Sequence, residues 1–279
     1  MKAFAAGIIS QMSGSPRLRK LLDGSLVKAA DFYRRNRMPA LEPEANALYQ
    51  NVWENLAADL TVRSGPFKGM KYFRAEAAGS ALTPKLLGSY ERELHPVLER
   101  LITKGYDDVV DIGCAEGYYA VGMALRLPEA RVHAFDTDAT ARELCMEMAT
   151  LNGVSARISV SAFCSPDALI GLPKRGRTLV ICDCESYEKA LFTPSVRDAL
   201  TNCDILIETH DFLDLTISTT LEALFDESHH LTLVSSVDDI QKAKHYPCPE
   251  LQGLPVPVRF HLLREGRPMI MEWLLAEAR

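Results

Sequence analysis

The chain has 279 residues, 47% of them hydrophobic, and a formal net charge of −6. Such a chain can bury a full core, which excludes a disordered polymer. Its acidic balance argues against general nucleic-acid affinity, and no apolar run reaches the roughly 20 residues of a membrane span. The charge is uneven, with eight Lys or Arg against two Asp in residues 1–40. The cationic residues Arg17, Arg19, Lys20, Arg34, Arg35 and Arg37 read as the solvated face of a helix, with an acidic partner or a membrane surface as the alternative. Gln11 interrupts the apolar N-terminal patch early, against a signal peptide. Seven cysteines, an odd number set mostly inside regular segments, favour reduced thiols in a cytoplasm. Cys182 and Cys184 lack zinc-site spacing and read as small core residues.

In chain order, Ser15-Pro16 starts a helix carrying Leu18, Leu21, Leu22, Leu26, Ala29, Ala30 and Tyr33. Glu42-Pro43 starts a second, with Ala45, Leu48, Tyr49, Val52, Trp53, Leu56 and Leu60 on one face. Together these predict an N-terminal helical cap over residues 1–63, ahead of a main domain over 64–279. A turn-rich ribbon at 64–72 and a short helix from Pro96 to Thr103, stopped by Gly105, come next. Strands are expected near 108–112, 131–136, 157–160, 178–183, 204–208 and 231–235, with helices at 117–126, 139–152, 186–200 and 217–225. That alternation specifies an α/β fold with a mostly parallel, Rossmann-like sheet flanked by helices. The proline-bearing segment 237–267 fits neither period and reads as a substrate-side insertion over about residues 236–268. A last strand is expected over 269–274, although 273–278 reads equally well as helix.

The run Val109-Val110-Asp111-Ile112-Gly113-Cys114-Ala115-Glu116-Gly117 is a buried strand that ends in an acid and opens into a glycine turn. Gly113 and Gly117 permit unusual backbone conformations and close approach of a ligand, and the helix that follows turns its free N–H groups to the same place. A second strand ends at Asp136, followed by Thr137, twenty-five residues after Asp111. An acid at that distance grips a ribose in a doubly wound fold. The middle glycine of G-x-G-x-x-G is absent, since Ala115 stands there, and Glu116 would repel a pyrophosphate. A nicotinamide dinucleotide is therefore disfavoured. The third strand leads into Ser161-Ala162-Phe163-Cys164, where Ala162 and Phe163 could flank an adenine.

Ligands of open α/β sheets bind beyond the strand carboxyl ends, which directs attention to Asp183-Cys184-Glu185-Ser186-Tyr187-Glu188 and Glu208-Thr209-His210-Asp211. Glu188 reads as a helix cap or salt bridge, while Asp183, Glu208 and His210 read as functional. The pattern D-I-G-C-A-E-G resembles the first motif of class I S-adenosylmethionine-dependent methyltransferases. With Tyr90-Glu91, the 183–188 run and Ile207-Glu208-Thr209-His210, residues 64–236 resemble FkbM-type methyltransferases. Their D-x-E-G-x-E motif is here altered, with Ser186 in the glycine position.

The resemblance implies a class I methyltransferase fold, S-adenosylmethionine as cofactor, and methyl transfer to a hydroxyl, often on a sugar or secondary metabolite. The cofactor-binding set is then Tyr90, Glu91, Asp111, Gly113, Cys114, Ala115, Glu116, Gly117, Asp136, Thr137, Ala162, Phe163 and Asp183. Asp111 would hold the cationic amino group, Glu91 would close over the same end, and the Tyr90 ring would face the sulfonium. His210 is the first candidate for a general base. Magnesium at Asp183, Glu208 and Asp211 is the second route to activating a hydroxyl. Rival readings are methylation of nitrogen or carboxylate, and a non-catalytic partner that keeps the fold. The expected substrate is a small molecule, with nucleic acid a poor fit and oligomeric state, homodimer included, left open.

Overall fold

The computed structural model describes residues 41–78 and 80–279. The helix expected over residues 15–33 and the basic cluster at 17–37 lie outside that range. Residues 43–279 form one compact unit. The boundary expected after residue 63 therefore falls inside it. The reason is visible in helix α1 (Pro43–Ala57): Val52 and Leu56 are buried in the same hydrophobic cluster as Phe67, Met70 and Val109.

Helices α2 (Leu82–Leu87) and α3 (His95–Lys104) follow, the latter ending on Gly105 as expected. Strand β1 (Asp108–Ile112), helix α4 (Tyr118–Arg126), β2 (Arg131–Phe135), α5 (Ala139–Leu151), β3 (Ile158–Ser161), α6 (Pro166–Gly171) and β4 (Thr178–Cys182) form the first half of the sheet unit. Short helices α7 (Glu188–Leu191) and α8 (Pro194–Ala199) then lead to β5 (Cys203–Thr209), α9 (Ile217–Phe225) and β6 (His229–Ser235). Helices α10 (Asp239–His245) and α11 (Val256–Leu263) precede the last strand, β7 (Glu272–Ala278).

The strands form one seven-stranded sheet in the order β3-β2-β1-β4-β5-β7-β6. The first five are parallel, while β7 runs antiparallel to both β5 and β6. This is the mostly parallel, Rossmann-like sheet expected from the sequence, with one strand reversed near its edge. Alternate residues serve opposite faces, as a pleated strand requires. Val109, Leu179, Ile181 and Leu206 join a cluster with α3, α4 and α11. Val110, Ile112, Val180, Ile205 and Ile207 join another with α8 and α9. In the parallel register Ile112 pairs with Cys182 and Cys182 with Ile207, so the chain leaves β1, β4 and β5 side by side.

Three expectations are corrected. The helix expected over 186–200 is two helices, because Pro194 cannot continue the first and instead begins the second, with Thr193 Oγ1 accepting the Val196 N–H. The segment 237–267 is helical rather than irregular: Asp238 caps α10, while Pro255 and Pro257 stand at the start of α11. The helical alternative for 273–278 fails. Trp273, Leu274, Leu275 and Ala276 are all buried between two neighbouring strands, a place only a strand can fill.

Candidate functional site

Strand β1 is apolar because both its faces are covered, and Asp111 is its one buried charge besides Asp108. The Asp111 carboxyl accepts the Ala120 N–H of α4, while its Oδ2 has no partner although buried. Burial pushes this carboxyl up to about 7. Over it runs the glycine turn. Gly113 and Gly117 have φ of 85° and 96°, so the left-handed conformation does require glycine. Their missing side chains do not clear a ligand space, however. A Cβ on Gly113 would stand 1.7 Å from the Asp183 carbonyl oxygen, and one on Gly117 2.9 Å from Cys145 Sγ. Both glycines admit other parts of the same chain.

Asp136 follows β2 and holds the turn from the side. Its Oδ2 accepts the Ala115 N–H at 2.9 Å and its Oδ1 the Asp138 N–H at 2.8 Å. Ala115 itself has φ 48°. Thr137, Ala162 and Phe163 are exposed beside this edge, and Phe163 stands 5.3 Å from the Tyr187 ring. Cys114 is buried, and its thiol is pushed up first by a hydrogen bond with Cys145 and then by burial.

Two residues expected at the cofactor are otherwise engaged. Glu116 is buried and accepts from Lys85 Nζ at 2.5 Å, Tyr72 OH at 3.2 Å and the Ala78 N–H at 3.0 Å. It ties α2 and the 72–78 segment to the glycine turn. The Tyr90 ring faces a cation as expected, but the cation is Lys85, 4.9 Å from its centroid.

The second half of the site lies at the ends of β4 and β5. His210 is 3% exposed and ringed by carboxylates. Its Nδ1 stands 2.6 Å from Glu188 Oε1. Its Nε2 lies 3.4 Å from Asp183, 3.7 Å from Glu185 and 3.8 Å from Glu208. Burial lowers the His210 pKa, but the Glu188 hydrogen bond and the charges of Glu208, Glu188 and Glu185 outweigh it and hold it above the ordinary imidazole value. Desolvation, then Glu208 and Glu91, push the Asp183 carboxyl up in turn. Asp183 keeps 31% of its side chain exposed.

Arg267, just before β7, closes this half from above. Its guanidinium pairs with Glu91, Glu208 and Glu265, the last at 3.0 Å. Glu91 also accepts from Tyr119 OH and stands at about 7, raised by burial against the pull of Arg267. Glu265 continues to the buried Lys242 at 2.5 Å. Sequence reading missed Arg267 because it ends the proline-bearing segment and only the tertiary fold brings it to Glu91 and Glu208.

The magnesium set needs correction. Asp211 spends its Oδ1 on the Ser218 N–H, where it steadies the start of α9. Glu208 is engaged by Arg267. Among the described residues, the group whose ligand atoms all lie within 4.8 Å of one another is Asp183, Glu185 and His210.

Residues 95–168 match the methyltransferase small domain family. The release factor glutamine methyltransferase of Chlorobaculum tepidum is 39% identical over 84 residues, covering 28% of this chain and 28% of that protein. The chain thus matches little more than a quarter of that relative's length. Similar solved structures include the O-methyltransferase TomG from Streptomyces achromogenes, involved in tomaymycin synthesis and determined in complex with SAM. It is 13% identical, over 90% of this chain and 96% of that one, at a TM-score of 0.43. Precorrin-6y C5,15-methyltransferase from Geobacter metallireducens is 13% identical over 66% and 89%, also at 0.43.

Proposed function

We propose that this chain, built on the class I methyltransferase sheet, is an S-adenosylmethionine-dependent methyltransferase acting on a hydroxyl of a small molecule, of the FkbM type. The observation that carries this reading is the unpartnered, buried Oδ2 of Asp111 beneath the glycine turn. A buried charge without a partner is expensive; the cationic amino end of the cofactor supplies one. Asp136 beside it keeps acceptor capacity for ribose hydroxyls, since each oxygen accepts a single backbone N–H. Exposed Phe163 and half-buried Tyr187 offer aromatic surface for an adenine.

When bound, the cofactor supplies an electrophilic methyl group on a sulfonium. The chain must then align an oxygen and take its proton as the bond forms. His210 is the residue placed to do so: with Nδ1 on Glu188, its Nε2 is the ring atom turned towards the part-exposed Asp183. Methylation of amino groups on bases is not favoured, because β4 runs into Asp183-Cys184-Glu185-Ser186 where such enzymes carry D-P-P-Y or N-P-P-Y. The free cysteines fit a reducing, cytoplasmic setting. No helix among the described residues is long and apolar enough to cross a membrane.

A second reading, favoured by the mutual distances of Asp183, Glu185 and His210, has a divalent cation polarise the hydroxyl. The test is transfer of labelled methyl from S-adenosylmethionine across a panel of hydroxylated sugars and aromatic or polyketide alcohols. Product formed with chelator present and lost in His210→Ala supports the base; product requiring added manganese or magnesium supports the cation. No transfer to any oxygen, with transfer to amines instead, overturns the hydroxyl assignment.

A further inference from the structure

Glu188 has so far entered only as the partner of His210 Nδ1, yet it is among the least accessible charged groups of the protein. It is 0% exposed, and its Oε1 takes His210 Nδ1 at 2.6 Å and the Ser186 N–H at 3.2 Å. Its Oε2 is buried without a partner. A structural ion pair gains little from such a position, because an apolar pair of similar size would serve stability as well or better. A carboxylate on the far ring nitrogen of a histidine does something an apolar residue cannot. It holds the proton on Nδ1, fixes the ring plane and makes Nε2 the more basic atom.

We propose that Glu188 is the positioning residue of the base: by accepting the Nδ1–H of His210 it presents the Nε2 lone pair to the acceptor hydroxyl. This rests on the reading of His210 given above. In the transfer, the acceptor O–H bond breaks as the new O–C bond forms, and the proton goes to Nε2. The resulting imidazolium lies between the Glu188 carboxylate on one side and Asp183, Glu185 and Glu208 on the other.

The local fold shows how the sequence arranges this. Glu185 and Ser186 take φ of 52° and 80°, so the chain turns sharply after β4. That turn sets Asp183 and Glu185 on the Nε2 side of the ring and Glu188, opening α7, on the Nδ1 side. Lys189, next in α7, is tied to Asp214 at 2.7 Å and Thr216 Oγ1 at 2.6 Å, in the loop that follows His210. The helix carrying the acceptor of the Nδ1 proton is thereby fastened to the loop following the imidazole. The titratable groups that face His210 are Glu188 from α7, Asp183 and Glu185 from the turn after β4, and Glu208 from β5, itself paired with Arg267.

The experiment is a pH titration of the histidine ring nitrogens by NMR on the full chain, with chelator present and the His210 signals assigned by their loss in His210→Gln. It needs no acceptor. In the wild type, neutral His210 should carry its proton on Nδ1 and titrate above the ordinary imidazole range. In Glu188→Gln its pKa should fall by about one unit or more, with mixed tautomers, and Glu188→Asp should restore the Nδ1–H form in part. A neutral His210 protonated on Nε2 in the wild type, or an unmoved titration in a folded Glu188→Gln, overturns the proposal. S-adenosylhomocysteine is titrated into the same samples. Binding by both proteins with unmoved ring signals removes the role of Glu188 alone, whereas no binding by the wild type removes the cofactor reading on which it rests.

Discussion

Ser186 occupies a conformation, φ 80°, that side-chain-bearing residues rarely hold. A left-handed residue with a Cβ costs roughly 1–2 kcal/mol, part of which a glycine returns through its looser unfolded state. Ser186→Gly should therefore stabilise the protein by about 0.5–1 kcal/mol, read as a higher urea midpoint at unchanged slope. Gly113→Ala should do the opposite and more severely, since its methyl would overlap the Asp183 carbonyl. We expect a large loss of stability together with loss of cofactor-analogue binding. At this scale the buried acid Asp111, the left-handed Gly113 and the acid Asp136 beside the turn were legible from spacing along one strand–turn–helix unit. The sequence misled where a partner comes from elsewhere in the chain. Glu116 looked like a cofactor contact from its motif, but Lys85, thirty-one residues earlier, claims it. Glu188 read as a helix cap or salt bridge; it does open α7 and pair with a charge-bearing ring, but that its partner is His210 is visible only in the fold.

The segment between α11 and β7 bears more on the site than its irregular sequence suggested. Arg267 alone gathers Glu91, Glu208 and Glu265. Removing one partner of a buried pair while its counter-charges stay costs about 3–5 kcal/mol. Arg267→Met should lose stability on that scale, with thermal unfolding as the measurement; Glu208→Gln in the same background should recover part of it. The strands and long helices of the sheet were legible because burial on both faces leaves continuous apolar runs and the helices keep their period. Helices α10 and α11 were not, since each is under three turns long and prolines that read as breakers follow α10 and open α11. Their order comes from packing and from Arg259, which donates to the carbonyls of Ala243, Tyr246 and Leu251.

For the molecule as a whole, the buried carboxyls of the site set a pH dependence. Asp111 and Glu91 both stand at about 7, above their unfolded values. Between the ordinary carboxyl range and about 7 the folded state keeps protons that the unfolded state releases. Their contribution to stability is therefore lost as pH rises through that window. The lowered imidazoles of His95, His133 and His229 act in the opposite direction within that window, and the lowered carboxyls of Glu99, Asp204 and Asp214 do so in more acid solution. Asp111→Asn isolates the contribution of Asp111: measured against the ligand-free wild type, it should raise the melting temperature at about pH 8 relative to about pH 5. A cation placed on Asp111 favours its ionised form, so binding of S-adenosylhomocysteine near pH 6 should release up to about one proton, seen as a binding heat that varies with the buffer.

The most direct test is calorimetric titration of S-adenosylhomocysteine into protein stripped of co-purified ligand, beside Asp111→Asn and Asp136→Ala. We predict saturable binding by the wild type, weakened at least about tenfold in each variant, as expected when a charge-assisted contact is removed. Absence of binding by folded wild-type protein, or equal binding by all three, would contradict the assignment of this cleft to the cofactor.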